Sequence, residues 1–526
     1  MKSRATQTKE LDMVNGPLAR KILIYSIPLM FSNLLQVFFN MTDVAVVGKF
    51  AGARALGSVG STTIIITLTT GILLGMGGGV NAVTALHMGA EDYQRVHKTV
   101  HTSVILCFIA GLLLLVTGLA FSKPLLEVMN TKPELIDGAT AYLMIYLCGS
   151  PALALYNFGN AVFSAAGDTG RPLRYLFLSG IVNVILNLFF VIVCKLDVVG
   201  VALASALSQC LSAFLIVMAL FRSHEDFGLH LAKLRLSKDK AQAILRLGIP
   251  SGFQNAIFGI ANLFVQLGVN SFSAVMVAGN SAAANADALI YDVMAAFYTA
   301  CASFMGQNYG SGNKKRVRDS YFVSLAYSFG IGLAMGLLLV VFGKQFLSLF
   351  TNDPEVMAAG MKRLTIMGFS YGISAFMDCT IAASRALGKS LAPMVIVILG
   401  SCVFRIAWVY TVFAYFQTIP SLYLLYSCSW SLTAIAEILY FVHAYRRAME
   451  KIAEDCRLQF EYDRRNMLAY EAAEIGKLVK ETNASVVREW HNFAARTGIN
   501  EIMRFSTIIE DNLGKGTSLA EKLEIE

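Results

Sequence analysis

Four polar side chains stand inside long apolar stretches of this sequence, where a charged group at mid-bilayer costs about 2.5–3.5 kcal/mol on insertion scales. Asp43 comes seven residues before Phe50, Asn187 seven before Cys194, and Ser205 seven after Val198. If each stretch is a helix rising 1.5 Å per residue, all three lie about 10 Å below the same surface. Asn183 is one turn from Asn187 on the same helical face. A carboxylate, two amide oxygens and a hydroxyl form a hard-oxygen set suited to Na⁺. Asp43 alone can carry a proton. In the alternative reading, the asparagines only bind helices together.

A second polar set follows. By helical rise, Asp378, Arg405 and Glu437 all fall about 15–18 Å from the opposite surface. One arginine between two carboxylates would be a charge-compensated cluster, with at least one carboxylate within ion-pair reach of Arg405. In the alternative reading it is a structural ion pair that locks the bundle. Asp287 and Asp292 share a helix and are candidate anionic sites for cationic cargo in a cleft. Five residues apart, they cannot both point straight at one spot. His87, His97 and His101 read as a loop-solvated group in preference to a metal site. Cysteines stand singly, with no C-x-x-C spacing. No G-x-x-x-x-G-K-[ST] phosphate loop, G-x-S-x-G or H-E-x-x-H occurs, which argues against a primary pump and against an enzyme. The abundant aromatics and methionines would suit a broad organic cleft, although most such residues simply pack.

The elements that must position these groups are transmembrane helices. Of 526 residues, 56% are hydrophobic and 15% charged, against about 25% charged in soluble domains. Apolar blocks of about 20 residues recur, the length a 30 Å hydrocarbon core demands. Twelve helices are expected: 18–50, 57–87, 97–121, 136–165, 173–194, 198–222, 242–271, 278–308, 319–343, 359–385, 393–416 and 420–446. Residues 1–447 hold 32 basic and 20 acidic side chains, and residues 448–526 hold 11 and 15. The basic excess therefore belongs to the membrane part. There Arg95, Lys98, Arg171, Arg174, Lys233, Arg235, Lys314, Lys315, Arg316, Arg318, Arg446 and Arg447 fall on one side. This reads as topology with both ends cytoplasmic, and not as nucleic-acid binding.

The halves repeat. At an offset of 221, Gly89 meets Gly310, Arg95 meets Arg316, Pro133 meets Pro354, Gly167 meets Gly388 and Pro172 meets Pro393. With one residue of slippage Pro28 meets Pro250. Six crossings return the chain to its starting side, so a pseudo-twofold along the membrane normal is expected. The fold class expected is an all-α polytopic membrane protein of two six-helix lobes with a short helical cytoplasmic tail. Its parts are a lobe at 1–222, a linker at 223–241, a lobe at 242–447 and a tail at 448–526.

The segments SIPLMFSNLLQVFFNMTDVAVVGKF, GQNYGSGNKKRV, LGIPSGFQN and AAGDTGRPLR with its counterpart ASRALGKSLAP resemble the multidrug and toxic compound extrusion family of secondary transporters. The resemblance covers residues 18–447. It implies antiport of organic, cationic or amphipathic compounds against Na⁺ or H⁺ by alternating access in the cell inner membrane, with no other cofactor. It also implies a cation site at Asp43, Asn183 and Ser205. Asn187 departs from the Asp that many members carry there. Asp378 matches a tenth-helix Asp implicated in coupling in part of the family. The expected partners are small organic substrates and membrane lipids, with a monomer as the expected state. Two rivals stand beside this reading. One is a lipid-linked glycan flippase of the same superfamily, which would line its cleft with several Arg or Lys. The other is a non-transporting scaffold presenting the tail. The tail, with Trp490, Phe493 and Ile499 at helical spacing, resembles a fragment of a type II secretion F-type cytoplasmic domain.

Overall fold

In a bilayer every backbone N–H and C=O must be satisfied within the protein, and a helix does this inside one segment. The structure, a computed structural model, describes residues 11–129, 131–223, 227–482 and 492, and all regular structure among them is helical. The first half holds α1 (Leu18–Val46), α2 (Gly52–Gly89), α3 (Tyr93–Val128), α4 (Pro133–Cys148), α5 (Ser150–Ala166), α6 (Gly170–Leu188) and α7 (Asp197–Arg222). The second holds α8 (Lys238–Asn270), α9 (Ala274–Gly310), α10 (Lys314–Leu347), α11 (Pro354–Ala386), α12 (Leu391–Val397), α13 (Phe404–Trp408), α14 (Ala414–Phe416) and α15 (Ile419–Thr482). Four π turns interrupt the spans, at Val47–Ala51, Phe189–Val193, Ile398–Val403 and Val409–Phe413. The tail residues Trp490, Phe493 and Ile499 lie outside the described residues.

Eleven stretches among the described residues are long and apolar enough to cross a membrane, and α4 with α5, bent by 44°, can make the twelfth. The single helix expected over 136–165 is broken into α4 and α5. The break falls at Gly149–Ser150, just ahead of Pro151, which lacks the N–H that an uninterrupted helix needs. A Cβ on Gly149 would stand 2.0 Å from Gln209 Oε1, so the bend lets the chain pass close to α7. Toward lipid the helices turn apolar side chains such as Leu113 and Val116 of α3, 60% and 58% exposed.

Positions 221 apart share local structure. Asp92 caps α3 by accepting the Arg95 amide, and Asn313 caps α10 by accepting that of Arg316. Pro133 and Pro354 start α4 and α11, where a missing N–H costs nothing. Gly167 and Gly388 follow α5 and α11 at φ of +91° and +77°, a conformation that favours glycine.

The halves meet mainly in the part of the bundle where α1 and α8 begin and α2 and α9 end, called here the near end. Helix α2 lies on α8 so closely that a Cβ on Gly75 would stand 2.1 Å from the Gly252 nitrogen. One on Gly79 would stand 2.7 Å from that of Gly248. Small residues at four-residue spacing permit this approach, as between helices in membranes generally. Tyr25 bridges the halves through its hydroxyl, 2.9 Å from Ser164 O and 2.8 Å from Ser303 Oγ. Gln307 donates to Ala165 O at 2.6 Å. Toward the middle, Asn33 donates to Asp292 O at 2.8 Å and Asn255 to Gly71 O at 3.2 Å.

Candidate functional site

At the far end of α1 the four residues of the first polar set come together. Asp43 is 9% exposed and Asn187 fully buried. The Asn187 amide donates to Asp43 Oδ1 and, at 3.1 Å, to Asn183 Oδ1. Ser205 donates to Asp43 Oδ2 at 3.0 Å. Asn183 in turn donates to Ser208 Oγ at 3.4 Å. Both carboxylate oxygens are thus held by neutral donors, and Asn187 Oδ1 has no hydrogen-bond partner. The π turns Val47–Ala51 and Phe189–Val193 begin a few residues beyond Asp43 and Asn187. Such turns recur at functional sites because they re-aim nearby side chains.

Two oxygens, from Asp43 and Asn183, converge on the place taken by the Asn187 amide nitrogen. Turned over, that amide would present its unpartnered oxygen to the same place, giving a cation an oxygen-only shell with Ser205. No cluster of three His, Cys, Asp or Glu fit for a metal ion occurs among the described residues.

Asp43, Asn183 and Ser205 line a cavity of about 620 Å³. Its wall also carries Tyr142 and Tyr146, stacked with ring centroids 6.1 Å apart, and Asn157 and Gln209. The Asn157 Nδ2 and Gln209 Oε1 atoms are buried without partners. These four residues carry no sequence signal of their own. None is charged, so none carries the desolvation cost that marked Asp43.

The second set is arranged differently from expectation. Arg405 is 1% exposed, but no carboxylate lies within ion-pair distance of it among the described residues. It donates to Asn262 Oδ1 at 2.9 Å and Ser429 Oγ at 3.2 Å. Its guanidinium also lies 4.8 Å from the Tyr426 ring centroid and 5.3 Å from that of Phe258. Aromatic faces and neutral acceptors hold this cation. Arg385 shares α11 with Asp378, two turns away. Glu437 is fully buried with neither oxygen hydrogen-bonded.

Asp287 is not a free anionic site. It pairs with the Arg363 guanidinium and accepts the Tyr371 hydroxyl, while Arg363 also donates to Asn280. Asp292, half-buried, has no ion pair or side-chain hydrogen bond among the described residues. His97 and His101 stack at 4.1 Å, and His101 contacts the backbone at His97 and His230.

A bundle of about twelve apolar spans, glycine-packed at one end and holding a buried carboxylate in a cavity wall, defines a multi-pass α-helical membrane protein. A family model described as MatE matches twice, over residues 28–189 and 250–411. The chain belongs to the MatE family. The second match begins 222 residues after the first, as the repeat requires.

Among similar proteins is the probable multidrug resistance protein YpnP of Bacillus subtilis, 28% identical over 397 residues, 76% of this chain and 89% of the relative. The FAD transporter of Shewanella oneidensis is 23% identical, covering 73% and 86%. An outward-facing multidrug resistance MATE family transporter of the MOP superfamily superposes with a TM-score of 0.79 at 23% identity, covering 85% of this chain and all of that one. A MOP superfamily transporter from Pyrococcus furiosus gives 0.79 at 23%, covering 84% and 99%. The named relatives are transporters and not enzymes.

Proposed function

We propose that this protein exports organic compounds, cationic or amphipathic, in exchange for Na⁺ or H⁺ across the cell inner membrane, with both ends of the span region cytoplasmic. The observation that carries the proposal is Asp43: a buried carboxylate, held only by neutral donors, in the wall of a cavity large enough for a small organic molecule. A bound cation or proton offsets its charge, and its release lets the Asn187 and Ser205 donors return. Alternating access moves cargo uphill only if the ion favours one state over the other. One charge moving down 100 mV yields about 2.3 kcal/mol, enough for roughly a fifty-fold gradient. Relatives named as multidrug resistance proteins support organic cargo. The cavity lining contains no Lys or Arg, so a pyrophosphate finds no countercharge there, which weighs against a lipid-linked glycan flippase. Asp292, with its unpaired carboxylate beside α1, is the better of the two candidate anionic contacts for a cationic cargo. Asp378, with Glu437 and Arg385, is the candidate for a second ion step. Dye efflux from vesicles under separately imposed Na⁺ and H⁺ gradients tests the reading. Efflux that ignores both gradients would remove it.

A further inference from the structure

We propose that the segments preceding α1 and α8 are two straps that hold the near end shut, each gripped by the half it does not lead into, and that opening this end requires their release.

The first strap is residues 11–16. Met13 is fully buried against Tyr25, Phe297 and Phe304, so the segment sits between α1 and α9. Its backbone carbonyls are held from the second half. Arg316 donates to Gly16 O at 2.9 Å, Met13 O at 3.0 Å and Asn15 O at 3.3 Å. Asn308 donates to Met13 O at 3.2 Å and accepts Arg316 Nε at 3.1 Å, which fixes the guanidinium. From the first half, Gly167 lies so close to Leu11 O that a Cβ there would stand 2.6 Å from it. Lys21 closes the loop with bonds to Asp12 O and Asn15 O at 2.6 and 2.7 Å.

The second strap is the linker ahead of α8. His230 N donates to His101 Nε2 at 3.0 Å, Thr102 donates to Arg235 O at 3.4 Å, and Ser237 N donates to Thr102 Oγ1 at 3.1 Å. Residues 235 and 237 stand 222 positions after Met13 and Asn15, so the repeat places both straps alike. The grips differ for a reason visible at the caps. Asp92 caps α3 and keeps Arg95 in an ion pair at 3.0 Å. Its counterpart Asn313 caps α10 without charge, which leaves Arg316 free to reach the strap.

That difference supplies a variant that need not disturb folding, because Asp and Asn are equally good caps. Asn313→Asp draws Arg316 into a cap ion pair and away from Met13, Asn15 and Gly16. Arg316→Ala removes the grip outright, and Arg316→Lys, a single point charge in place of a fork, keeps part of it. Spin labels at Lys98→Cys and Lys315→Cys, both exposed at the near end on opposite halves, report the separation in full-length protein in nanodiscs once the native exposed cysteines are replaced by serine. This readout needs neither cargo nor coupling ion, so it stands apart from the transport reading. We expect Asn313→Asp and Arg316→Ala to raise the wide-separation population about tenfold over wild type, with Arg316→Lys between. Distance distributions matching wild type in folded Asn313→Asp and Arg316→Ala proteins would overturn the proposal.

Discussion

Asp287→Asn should cost this protein more stability than Arg363→Met, although the two residues form one ion pair. The asymmetry follows from depth: the Arg363 side chain is 5% exposed and that of Asp287 is 20%. Removing the carboxylate leaves a deep cation with Asn280 and the rings of Tyr423 and Tyr426, whose centroids are 5.3 and 5.7 Å away. Breaking a buried pair costs about 3–5 kcal/mol, and the two ring contacts, at about 0.5–2 kcal/mol each, already belong to the native state and replace nothing. Removing the arginine leaves a carboxylate that keeps the Tyr371 hydroxyl and some solvent, a loss of about 1–3 kcal/mol. Replacing both, as Asp287→Leu with Arg363→Met, should come within about 1 kcal/mol of wild type, because neither desolvation penalty remains. The buried thiols of Cys301 and Cys379 allow thermal unfolding to be followed with a thiol-reactive dye. The expected order of melting temperatures is wild type close to the double variant, then Arg363→Met, then Asp287→Asn. An Asp287→Asn protein that melts like wild type but no longer binds cationic dye would refute this reasoning and return Asp287 to the cargo site.

Three further outcomes follow from the geometry. Gly75→Leu should force α2 off α8 and lower the melting temperature, at about 1–3 kcal/mol or more for overpacking, while Gly60→Ala, where an added Cβ meets nothing within 4 Å, should not. Ser205→Ala removes one of two donors to Asp43 and should shift the ion dependence of efflux about tenfold, with binding of cargo measured without ions changed less. Burial raises the Asp12 carboxyl, but the Asn15 and Val14 amides and Lys21 outweigh it and hold the group below its usual range. With its folded value depressed, Asp12 contributes stability above about pH 3.9 that is lost as pH falls through the lower folded value. Hydrogen exchange of residues 11–16 should therefore be flat with pH from 5 to 8, after correction for intrinsic rates, and rise only in stronger acid.

The sequence carried the first polar set well because two regularities act together. A helix has a constant rise and the bilayer fixes a depth, so counting residues from span ends placed Asp43, Asn187 and Ser205 at one level. The same counting misdirected Arg405. It follows a π turn at Ile398–Val403, which admits an extra residue into a turn and rotates the face that follows. Depth survives such a turn, whereas facing does not. Arg405 thus meets Asn262, Ser429 and aromatic rings, with no carboxylate in ion-pair reach among the described residues. Arg363 and Arg385 lay within the expected tenth helix and their charge alone was a signal that went unused. The straps were beyond reach, since residues 11–16 have no period and their partners lie some 300 positions away. The repeat was readable from Gly, Pro and Arg positions because those residues serve turns, helix starts and caps, where few substitutes fit.

The most direct test of the exchange mechanism is dye efflux from proteoliposomes containing the Asp43→Asn protein, with Na⁺ and H⁺ gradients imposed one at a time. Asn keeps the shape of Asp and can still accept the Ser205 hydroxyl, so expression and melting should stay near wild type. Efflux driven by either gradient should be lost while dye binding at equilibrium persists. Gradient-driven efflux at the wild-type rate would contradict it and move the coupling carboxylate to the second half, with Asp378 the next to test.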